Sequence, residues 1–343
     1  MFSGNAYIMI DEWPSLLLTT WRDIMATKKM ILDLDTGIDD AMAIAYAVAD
    51  PEVDLIGIVG SYGNVYVKEG GINSLKILEL LAATDVPVYL GESHSLTTDH
   101  FDRMPISAQI HGQNGIGQVN LPEPKRQLEA GSGVDFLIES AKKYGQNLIF
   151  VPTGPMTNLA KALEKDRDAI LSIGNVTFMG GALTVEGNVN AYAEANINQD
   201  AEAANAVLTS PLKLTMVGLD VTLRTLLTRK ETAQWRELNT AAGIAFADIV
   251  DYYIDAYADT NSQLDGCALH DPLAVGVAID PSFITTLDLN MFVATDPDHY
   301  GRTIGDQARI NDPETNVKVG LTVDRQRYLT AFMDHLTGLF KQH

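Results

Sequence analysis

Short runs of β-branched and apolar residues recur along the chain, and most of them end at Gly, Asp, Asn or Pro before a segment with helical periodicity begins. These runs predict strands at residues 30–34, 53–59, 86–90, 148–151, 176–179 and 212–217. The segments between them predict helices at residues 40–49, 70–81, 134–143, 157–164 and 201–208. Because strands that alternate with helices usually form a parallel sheet covered on both faces, the pattern predicts an α/β fold with a mainly parallel central sheet.

The end of the chain departs from this alternation. Residues 289–294 and 317–323 flank a polar stretch and predict a small late antiparallel hairpin, and residues 325–340 are the predicted closing helix. Residues 93–126 and 187–200 match neither the strand nor the helix pattern. Both stretches are long for loops in a compact domain, and long ordered loops often carry function.

The composition narrows the classes of partner. The chain has 343 residues, and 46% of them are hydrophobic, which excludes a disordered protein. Its 24 Lys and Arg side chains against 45 Asp and Glu give a net charge of −21. Without a run rich in Lys or Arg, the sequence lacks the basic surface that binds nucleic acid or an anionic membrane. Apolar stretches such as residues 41–49 fall short of the roughly 18 residues that a membrane-spanning helix needs. We therefore expect neither nucleic acid nor a membrane as a partner.

Cysteine usage and length bear on the compartment and the domain organisation. Cys267 is the only cysteine, so neither an intrachain disulfide nor a cysteine-based zinc site can form. This is compatible with a reducing compartment, and we predict a cytoplasmic protein. The length suits one α/β domain with a large core. We predict that this domain covers residues 30–343, and that residues 1–29 form an irregular extension without the features of a secretion signal.

Four carboxylates fall within eight residues directly after the first predicted strand, at Asp33, Asp35, Asp39 and Asp40. At the carboxyl end of a parallel strand they would point into the crevice where open α/β sheets bind ligands. Like charges a few ångströms apart in a partly buried site cannot all stay ionised, and a hard divalent cation would resolve that conflict. Oxygen donors without cysteine favour calcium over zinc.

A purely structural explanation accounts for only part of this cluster. Asp39 or Asp40 would cap the following helix, and Gly37 would supply a turn. An EF-hand calcium loop does not fit either, because the twelfth residue from Asp33 is Ile44 rather than Glu, and because a strand precedes the cluster instead of a helix.

Polar residues also follow later strands. Asn64 follows the second predicted strand, and the sequence Pro-Thr-Gly-Pro at residues 152–155 follows the fourth. Each is by itself a common turn sequence. His270 and Asp271 precede an apolar helix at residues 273–279, where Asp271 would serve as N-cap with Pro272 at the first helical position. Beside the acidic cluster, the same two residues would add a carboxylate for a cation and an imidazole that moves protons near neutral pH.

Four separated motifs, in this order and spacing, resemble the inosine–uridine-preferring nucleoside hydrolases: Asp33-x-Asp35-x-Gly37-x-Asp39-Asp40, Pro152-Thr153-Gly154-Pro155, Gly187-Asn188 with Glu194-x-Asn196, and His270-Asp271-Pro272. The resemblance extends from about Met30 to the C-terminus. It implies an open, Rossmann-like single-domain fold with helices on both faces of the sheet. It also implies an N-ribosyl hydrolase of purine and pyrimidine salvage, acting as a homodimer or homotetramer, with uridine and inosine as the first candidate substrates.

The resemblance assigns the metal ligands and the catalytic residues. Asp35, Asp40 and Asp271, together with the backbone carbonyl of Thr153, match the ligands of a Ca²⁺ ion. Asp35 also matches the general base that takes a proton from the attacking water, and His270 matches the proton donor to the departing base. Since cleavage of the N-glycosidic bond builds positive charge on the ribose, an oxygen-lined negative pocket would stabilise the transition state.

The resemblance also assigns the substrate contacts. Asp39 and Asn196 match the residues that hold the 2′- and 3′-hydroxyls of the ribose. Asn188 and Glu194 match those near the 5′-hydroxyl, and Asn64 matches an asparagine that contacts the metal site and the sugar.

Two positions bear on the nucleobase side. His111 begins a glycine-rich segment, residues 111–117, that fits a mobile lid near the base, so that His111 would bind substrate; a surface histidine in a flexible loop is the alternative. Leu223 follows Thr222 where the family pattern leads us to expect a histidine. The base preference is therefore left open.

Two other functions stay open at this point. The sequence Asp33-Leu34-Asp35-Thr36 after a strand also resembles the nucleophile motif of haloacid-dehalogenase-type phosphatases, which depend on Mg²⁺. That class needs a second acidic pair on a later strand, whereas here Asp39-Asp40 follows at once. The other alternative is a catalytically silent nucleoside-binding protein, although none of the catalytic positions carries an inert residue.

Overall fold

The computed structural model describes residues 28–260 and 263–343. The predicted irregular extension therefore lies outside the described residues, except for Lys28 and Lys29. These two residues are the first of strand β1, so the strand begins two residues earlier than predicted.

The chain alternates between strands and helices, as predicted. The strands are β1 (Lys28–Leu34), β2 (Val53–Gly60), β3 (Val88–Leu90), β4 (Leu148–Pro152), β5 (Asn175–Met179), β6 (Leu214–Val217), β7 (Leu226–Leu227), β8 (Cys267–Ala268), β9 (Ile284–Leu289), β10 (Met291–Val293), β11 (Thr303–Gly305) and β12 (Val317–Val323). The helices are α1 (Ile38–Ala49), α2 (Val67–Leu80), α3 (Pro105–His111), α4 (Gly133–Tyr144), α5 (Thr157–Lys165), α6 (Arg167–Leu171), α7 (Ala195–Gln199), α8 (Ala201–Leu208), α9 (Leu219–Thr222), α10 (Arg229–Glu237), α11 (Ala241–Thr260), α12 (His270–Ile279) and α13 (Arg325–Phe340). Short 3₁₀ turns occur at Gly145–Asn147, Pro281–Phe283 and Gln307–Arg309.

Eight strands form one central sheet in the order β3-β2-β1-β4-β5-β6-β12-β9, and every neighbouring pair is parallel except β12 with β9. Helices α1, α2, α11, α12 and α13 cover one face, and α4, α5, α6 and α8 cover the other. In β1, Met30, Leu32 and Leu34 pack on the first face and Ile31 packs on the second, because side chains alternate along a strand. This confirms the predicted mainly parallel α/β fold.

The late antiparallel pairing joins different segments from those predicted. Strand β12 pairs with β9, with Leu289 opposite Val317, while β10 pairs with β11 in a separate two-stranded ribbon. The chain changes direction at Asn290, whose buried side chain donates to the backbone carbonyls of Arg309 and Glu314. The predicted strand at residues 289–294 is therefore split, because a polar residue in its interior binds the neighbouring loop.

Several helices escaped prediction. The longest, α11, has an exposed face that includes the apolar residues Ala241, Ile244 and Ala258, so the contrast between its two faces is weak in the sequence. Both unassigned stretches contain a short helix, α3 in the first and α7 in the second. Among the described residues, no helix is both long and apolar enough to cross a bilayer.

Two helical glycines test the packing of the core. A Cβ on Gly276 of α12 would lie 2.5 Å from Cε2 of the buried Tyr328, whereas a Cβ on Gly338 of α13 would meet nothing within 4 Å. We expect Gly276→Ala to lower the free energy of unfolding by about 1–3 kcal/mol through overpacking. Gly338→Ala should raise it by roughly 0.5–1 kcal/mol, since alanine favours the helix. Urea unfolding of both variants checks this, and equal effects would contradict the packing described for Tyr328.

Candidate active site

The turn between β1 and α1 carries the acidic cluster at the carboxyl edge of the sheet. β1 lies between β2 and β4, and the backbone N–H of Thr153, just beyond β4, donates to the carbonyl of Asp33 at 2.9 Å. Only glycine fits at position 37, because a Cβ there would lie 2.6 Å from His111 Nδ1 and 2.8 Å from Asn64 Nδ2. The turn is thus packed tightly by residues from two distant loops.

Carboxylates from two distant segments meet at this turn. Oxygen atoms of Asp39, Asp40 and Asp271 all lie within 4.8 Å of one another, and each of the three residues is at most 5% exposed. Helix α12 begins at His270, with Leu269 as its N-cap, so Asp271 lies inside the first turn and is not the cap that local sequence predicts. Helix α1 likewise has Gly37 as its N-cap. Asp271 therefore faces the other acids across the fold.

Asn64 and Thr153 supply hydrogen bonds to the acids. The backbone N–H of Asn64 donates to Asp35 Oδ2 at 2.6 Å, and its side-chain amide lies 3.2 Å from both Asp35 Oδ1 and Asp40 Oδ2. Thr153 Oγ1 donates to Asp40 Oδ1 at 3.0 Å, and the N–H of Gly37 donates to Asp40 Oδ2 at 2.8 Å. Asp35 thus joins the group through Asn64.

Burial and mutual repulsion oppose ionisation of these acids. Burial, and then the charge of Asp40, raises the pKa of Asp39 to about 7. The same two causes raise the pKa of Asp35 well above its usual range, and burial with the charge of Asp39 does so for Asp271. Behind them, burial raises the pKa of Asp33 to about 7.

The donor set fits a hard divalent cation. In residues 28–260 and 263–343, no Lys or Arg side chain forms an ion pair with the five acids, and Asp39 Oδ1 is buried without a hydrogen-bond partner. The available ligands are carboxylate and carbonyl oxygens, which calcium and magnesium prefer and which suit zinc poorly. A cation here would supply the positive charge that these carboxylates lack.

The residues expected on the sugar side lie along α7 and the loop before it. Asn196 donates from Nδ2 to the carbonyl of Thr153 at 2.7 Å, which brings it to the acidic group. Glu194 is 2% exposed, and it caps α7 by accepting from the N–H groups of Asn196 and Ile197, with a further bond from Gly181. Asn188 is exposed and accepts from the N–H of Ala195, so it lies at the rim and makes no hydrogen bond to the acids.

His111 is buried at the end of α3 and is not a surface residue. Its Nδ1 accepts from the N–H of Ile38 at 3.2 Å and lies 3.8 Å from Asp39 Oδ1. Burial lowers the pKa of His111 to about 3, so the imidazole is neutral. The ring of Tyr253 on α11 lies 5.4 Å from it, centroid to centroid.

His270 lies between two hydroxyl groups. Its Nε2 is 2.6 Å from Tyr257 Oη and its Nδ1 is 2.8 Å from Thr222 Oγ1. Burial lowers the pKa of His270 to about 4. Sequence reasoning missed the contribution of Tyr253 and Tyr257, although their spacing of four residues places them on one face of a helix. Because the sequence pattern did not predict α11, the spacing of the two tyrosines could not be interpreted as helical.

Comparison with known proteins identifies the family that the chain matches. Residues 30–330 match the family model described as inosine-uridine preferring nucleoside hydrolase. The chain is similar to the solved structure of a purine-preferring ribonucleoside hydrolase from Gardnerella vaginalis, with 54% identity, a TM-score of 0.91, and coverage of 92% of this chain and 100% of that one. It is 35% identical to the probable uridine nucleosidase 2 of Arabidopsis thaliana, over 90% of this chain and 97% of that protein. It is 32% identical to the pyrimidine-specific ribonucleoside hydrolase RihB of Escherichia coli, over 93% and 100%.

The unpaired acids predict that the site reduces the stability of the protein when no cation is present. We expect Asp39→Asn to raise the free energy of unfolding by about 1–2 kcal/mol at neutral pH with a chelator present, because it removes one buried like charge and supplies an amide donor. Urea unfolding measures this. Asp312→Asn, at an exposed position, is the control and should stay within about 0.5 kcal/mol of the parent. A clear loss of stability in Asp39→Asn would contradict the repulsion inferred here.

Proposed function

The chain belongs to the inosine-uridine preferring nucleoside hydrolase family, and from this premise we propose that its acidic site cleaves the N-glycosidic bond of ribonucleosides with the help of a bound calcium ion. The products are the free base and ribose. The observation that carries the proposal is the buried group of carboxylates, which has an all-oxygen donor set and no Lys or Arg counter-charge among the described residues.

We assign the ion to Asp35, Asp40, Asp271 and the carbonyl of Thr153. Calcium suits this set better than magnesium, because it accepts more oxygen ligands and a less regular geometry. When bound, the ion supplies the positive charge that orients the ribose diol and makes a water molecule more acidic. The remaining steps belong to side chains of this protein.

Asp35 is the proposed general base. The two hydrogen bonds from Asn64 hold its carboxylate in one orientation, as a general base needs in order to accept a proton from a positioned water. It takes a proton from the water whose oxygen bonds to C1′ of the ribose. As the glycosidic bond breaks, positive charge on the ribose is stabilised by the surrounding carboxylates.

The ribose hydroxyls are assigned to polar atoms on both sides of the acidic group. Asp39 has a buried oxygen without a partner, and Asn196 lies beside Thr153, so both suit the 2′- and 3′-hydroxyls. Asn188 and Glu194 are assigned to the 5′-hydroxyl. The carboxylate of Glu194 already accepts three backbone N–H groups, so its contribution is a fixed acceptor at the start of α7.

The departing base receives its proton from the His270 side of the site. Both ring nitrogens of His270 are engaged by hydroxyls, and Nε2 is bonded to Tyr257 Oη. When His270 carries a proton on both ring nitrogens, its Nε2 proton passes to the Tyr257 hydroxyl as that hydroxyl gives its own proton to a nitrogen of the base, and the ring is left neutral. His111 is assigned to binding the base.

A purine substrate is supported more strongly than a pyrimidine. The relative named as purine-preferring shares 54% identity with this chain, whereas those named for uridine or pyrimidine nucleosides share 35% and 32%. We therefore place inosine first among the substrates. A haloacid-dehalogenase-type phosphatase is not favoured, because the family match covers residues 30–330. A cytoplasmic location and a homodimeric or homotetrameric assembly stay predictions.

Ribose release with and without metal tests the activity itself. We expect inosine hydrolysis to disappear after exhaustive chelation and to return with Ca²⁺, because the unpaired acids would repel one another and leave the ribose diol unheld. A reducing-sugar assay measures the rate, and a metal analysis verifies the removal. Full activity in a preparation shown to be free of metal would remove calcium from the mechanism. Phosphate release from sugar phosphates without nucleoside cleavage would favour the phosphatase.

Base preference is tested separately from activity. We expect kcat/KM for inosine to exceed that for uridine, and both 2′-deoxynucleosides to be poor substrates, because a site built around a hydroxyl leaves polar groups unpaired when that hydroxyl is missing. Steady-state kinetics on the four nucleosides measures both ratios. A higher kcat/KM for uridine would reverse the purine assignment, and equal values for inosine and 2′-deoxyinosine would contradict the roles of Asp39 and Asn196.

A further inference from the structure

A buried asparagine outside the assigned site joins the acidic turn to the loop that follows His111. Asn73 lies on α2 and is 5% exposed. Its Nδ2 donates to the carbonyl of Thr36, in the acidic turn, at 3.2 Å, and to the carbonyl of Asn114 at 2.9 Å. One amide group therefore sets the spacing between two segments that are far apart in sequence.

The loop at residues 112–118 depends on such outside contacts. Its backbone has positive φ at Gly112, Gly115, Gly117 and Gln118, and Gln118 is a non-glycine residue in that strained region. Within the loop, Asn114 Oδ1 accepts from the N–H groups of Ile116 and Gln118, which gives it a defined shape. That shape is local and does not fix the position of the loop against the sheet.

Arg103 forms hydrogen bonds to the other side of the same loop. Its guanidinium donates to the carbonyl of Gln113 at 2.9 Å and to that of Gly112 at 2.8 Å. A planar fork with two donors orients its acceptors as well as holding them. Asn73 on the inside and Arg103 on the outside thus hold the segment that directly follows His111.

The position of His111 decides which of its nitrogens can meet a substrate. Because Nδ1 accepts from the N–H of Ile38, the proton of the neutral ring is on Nε2. Among residues 28–260 and 263–343, no group makes a hydrogen bond to this Nε2. The ring therefore keeps one free donor close to Asp39, where an acceptor atom of the nucleobase could receive it.

We propose that Asn73 and Arg103 are positioning residues that hold residues 112–118 as a fixed wall, so that His111 presents Nε2–H to the base of a bound nucleoside. The proposal rests on the ribonucleoside hydrolysis proposed above. It identifies the residues that determine how the base is held. Small displacements matter here, since a shift of about 1 Å in a positioned group can cost on the order of 100-fold in rate.

Two substrates separate a role in holding the base from a general structural role. Inosine has a base that must be held and protonated, whereas a nitrophenyl riboside has a leaving group that departs without a proton. We expect Asn73→Ala and Arg103→Met to lower kcat/KM for inosine by about tenfold to 100-fold. The loss on the nitrophenyl riboside should stay within about threefold for Arg103→Met, which makes no hydrogen bond to the acidic turn, and Asn73→Ala should lose no more on this substrate than Ser74→Ala does. Arg103→Lys, which keeps the charge but not the fork, should recover only part of the loss on inosine.

Ser74→Ala is the matched control. Ser74 neighbours Asn73 on α2 and also bonds to the acidic turn, through Thr36 Oγ1 at 2.7 Å, but in the described structure its side chain makes no hydrogen bond to residues 112–118. It should therefore change both substrates alike. Equal losses on the two substrates in Asn73→Ala and Arg103→Met would show a general structural role and overturn the proposal.

A double-variant cycle tests whether the two residues act through His111. Asn73→Ala or Arg103→Met added to His111→Ala should cause no further loss on inosine, since the group that they position is already gone. Additive losses would overturn the proposal. Arg103 is partly exposed, so its variants provide the answer even if Asn73→Ala does not fold. Wild-type protein that cleaves neither substrate would instead contradict the proposed function, which keeps the two failures distinct.

Discussion

The repulsion among carboxylates buried at one edge of the sheet is the constraint on which the site depends. Asp35, Asp39, Asp40 and Asp271 are nearly inaccessible, and no Lys or Arg in the described residues pairs with them. Burying several like charges without a partner is unfavourable unless protons or a cation neutralise them. The protein therefore carries a local instability that binding of a cation would relieve, and that instability gives the site its affinity for positive charge.

The fold lowers the free-energy cost of burying these carboxylates and holds them in fixed orientations. Asp39 and Asp40 lie in the first turn of α1, and Asp271 lies in the first turn of α12, where the positive end of the helix dipole favours negative charge. Asn64 donates hydrogen bonds to two of the acids from the loop after β2. Because β1 lies between β2 and β4 in the sheet, both neighbouring loops reach the same turn. The acids are thus oriented without being neutralised, which leaves their charge available to a cation and to a cationic transition state.

The two histidines complete the site through their environment rather than through charge. Burial lowers the pKa of both His111 and His270, so neither neutralises the acids beside it. Each ring has a defined hydrogen-bond partner on Nδ1, the N–H of Ile38 for His111 and the hydroxyl of Thr222 for His270. Oriented rings can donate hydrogen bonds on the base side while the negative charge stays on the ribose side.

The sequence by itself determined the alternation of strands and helices, and it placed Asp33, Asp35, Asp39 and Asp40 at a strand end, because hydrophobic period and turn residues are local signals. It could not determine how Asp271 is used, since local chemistry indicates a helix cap and only the arrival of α12 opposite α1 places its carboxylate among the other acids. The late strand pairing and the hydrogen bonds from Asn73 to the acidic turn and to Asn114 were likewise decided by tertiary structure. Strand pairing, burial and the hydrogen bonds of a buried amide depend on segments far apart in the chain. A local sequence pattern does not determine which of these segments come into contact.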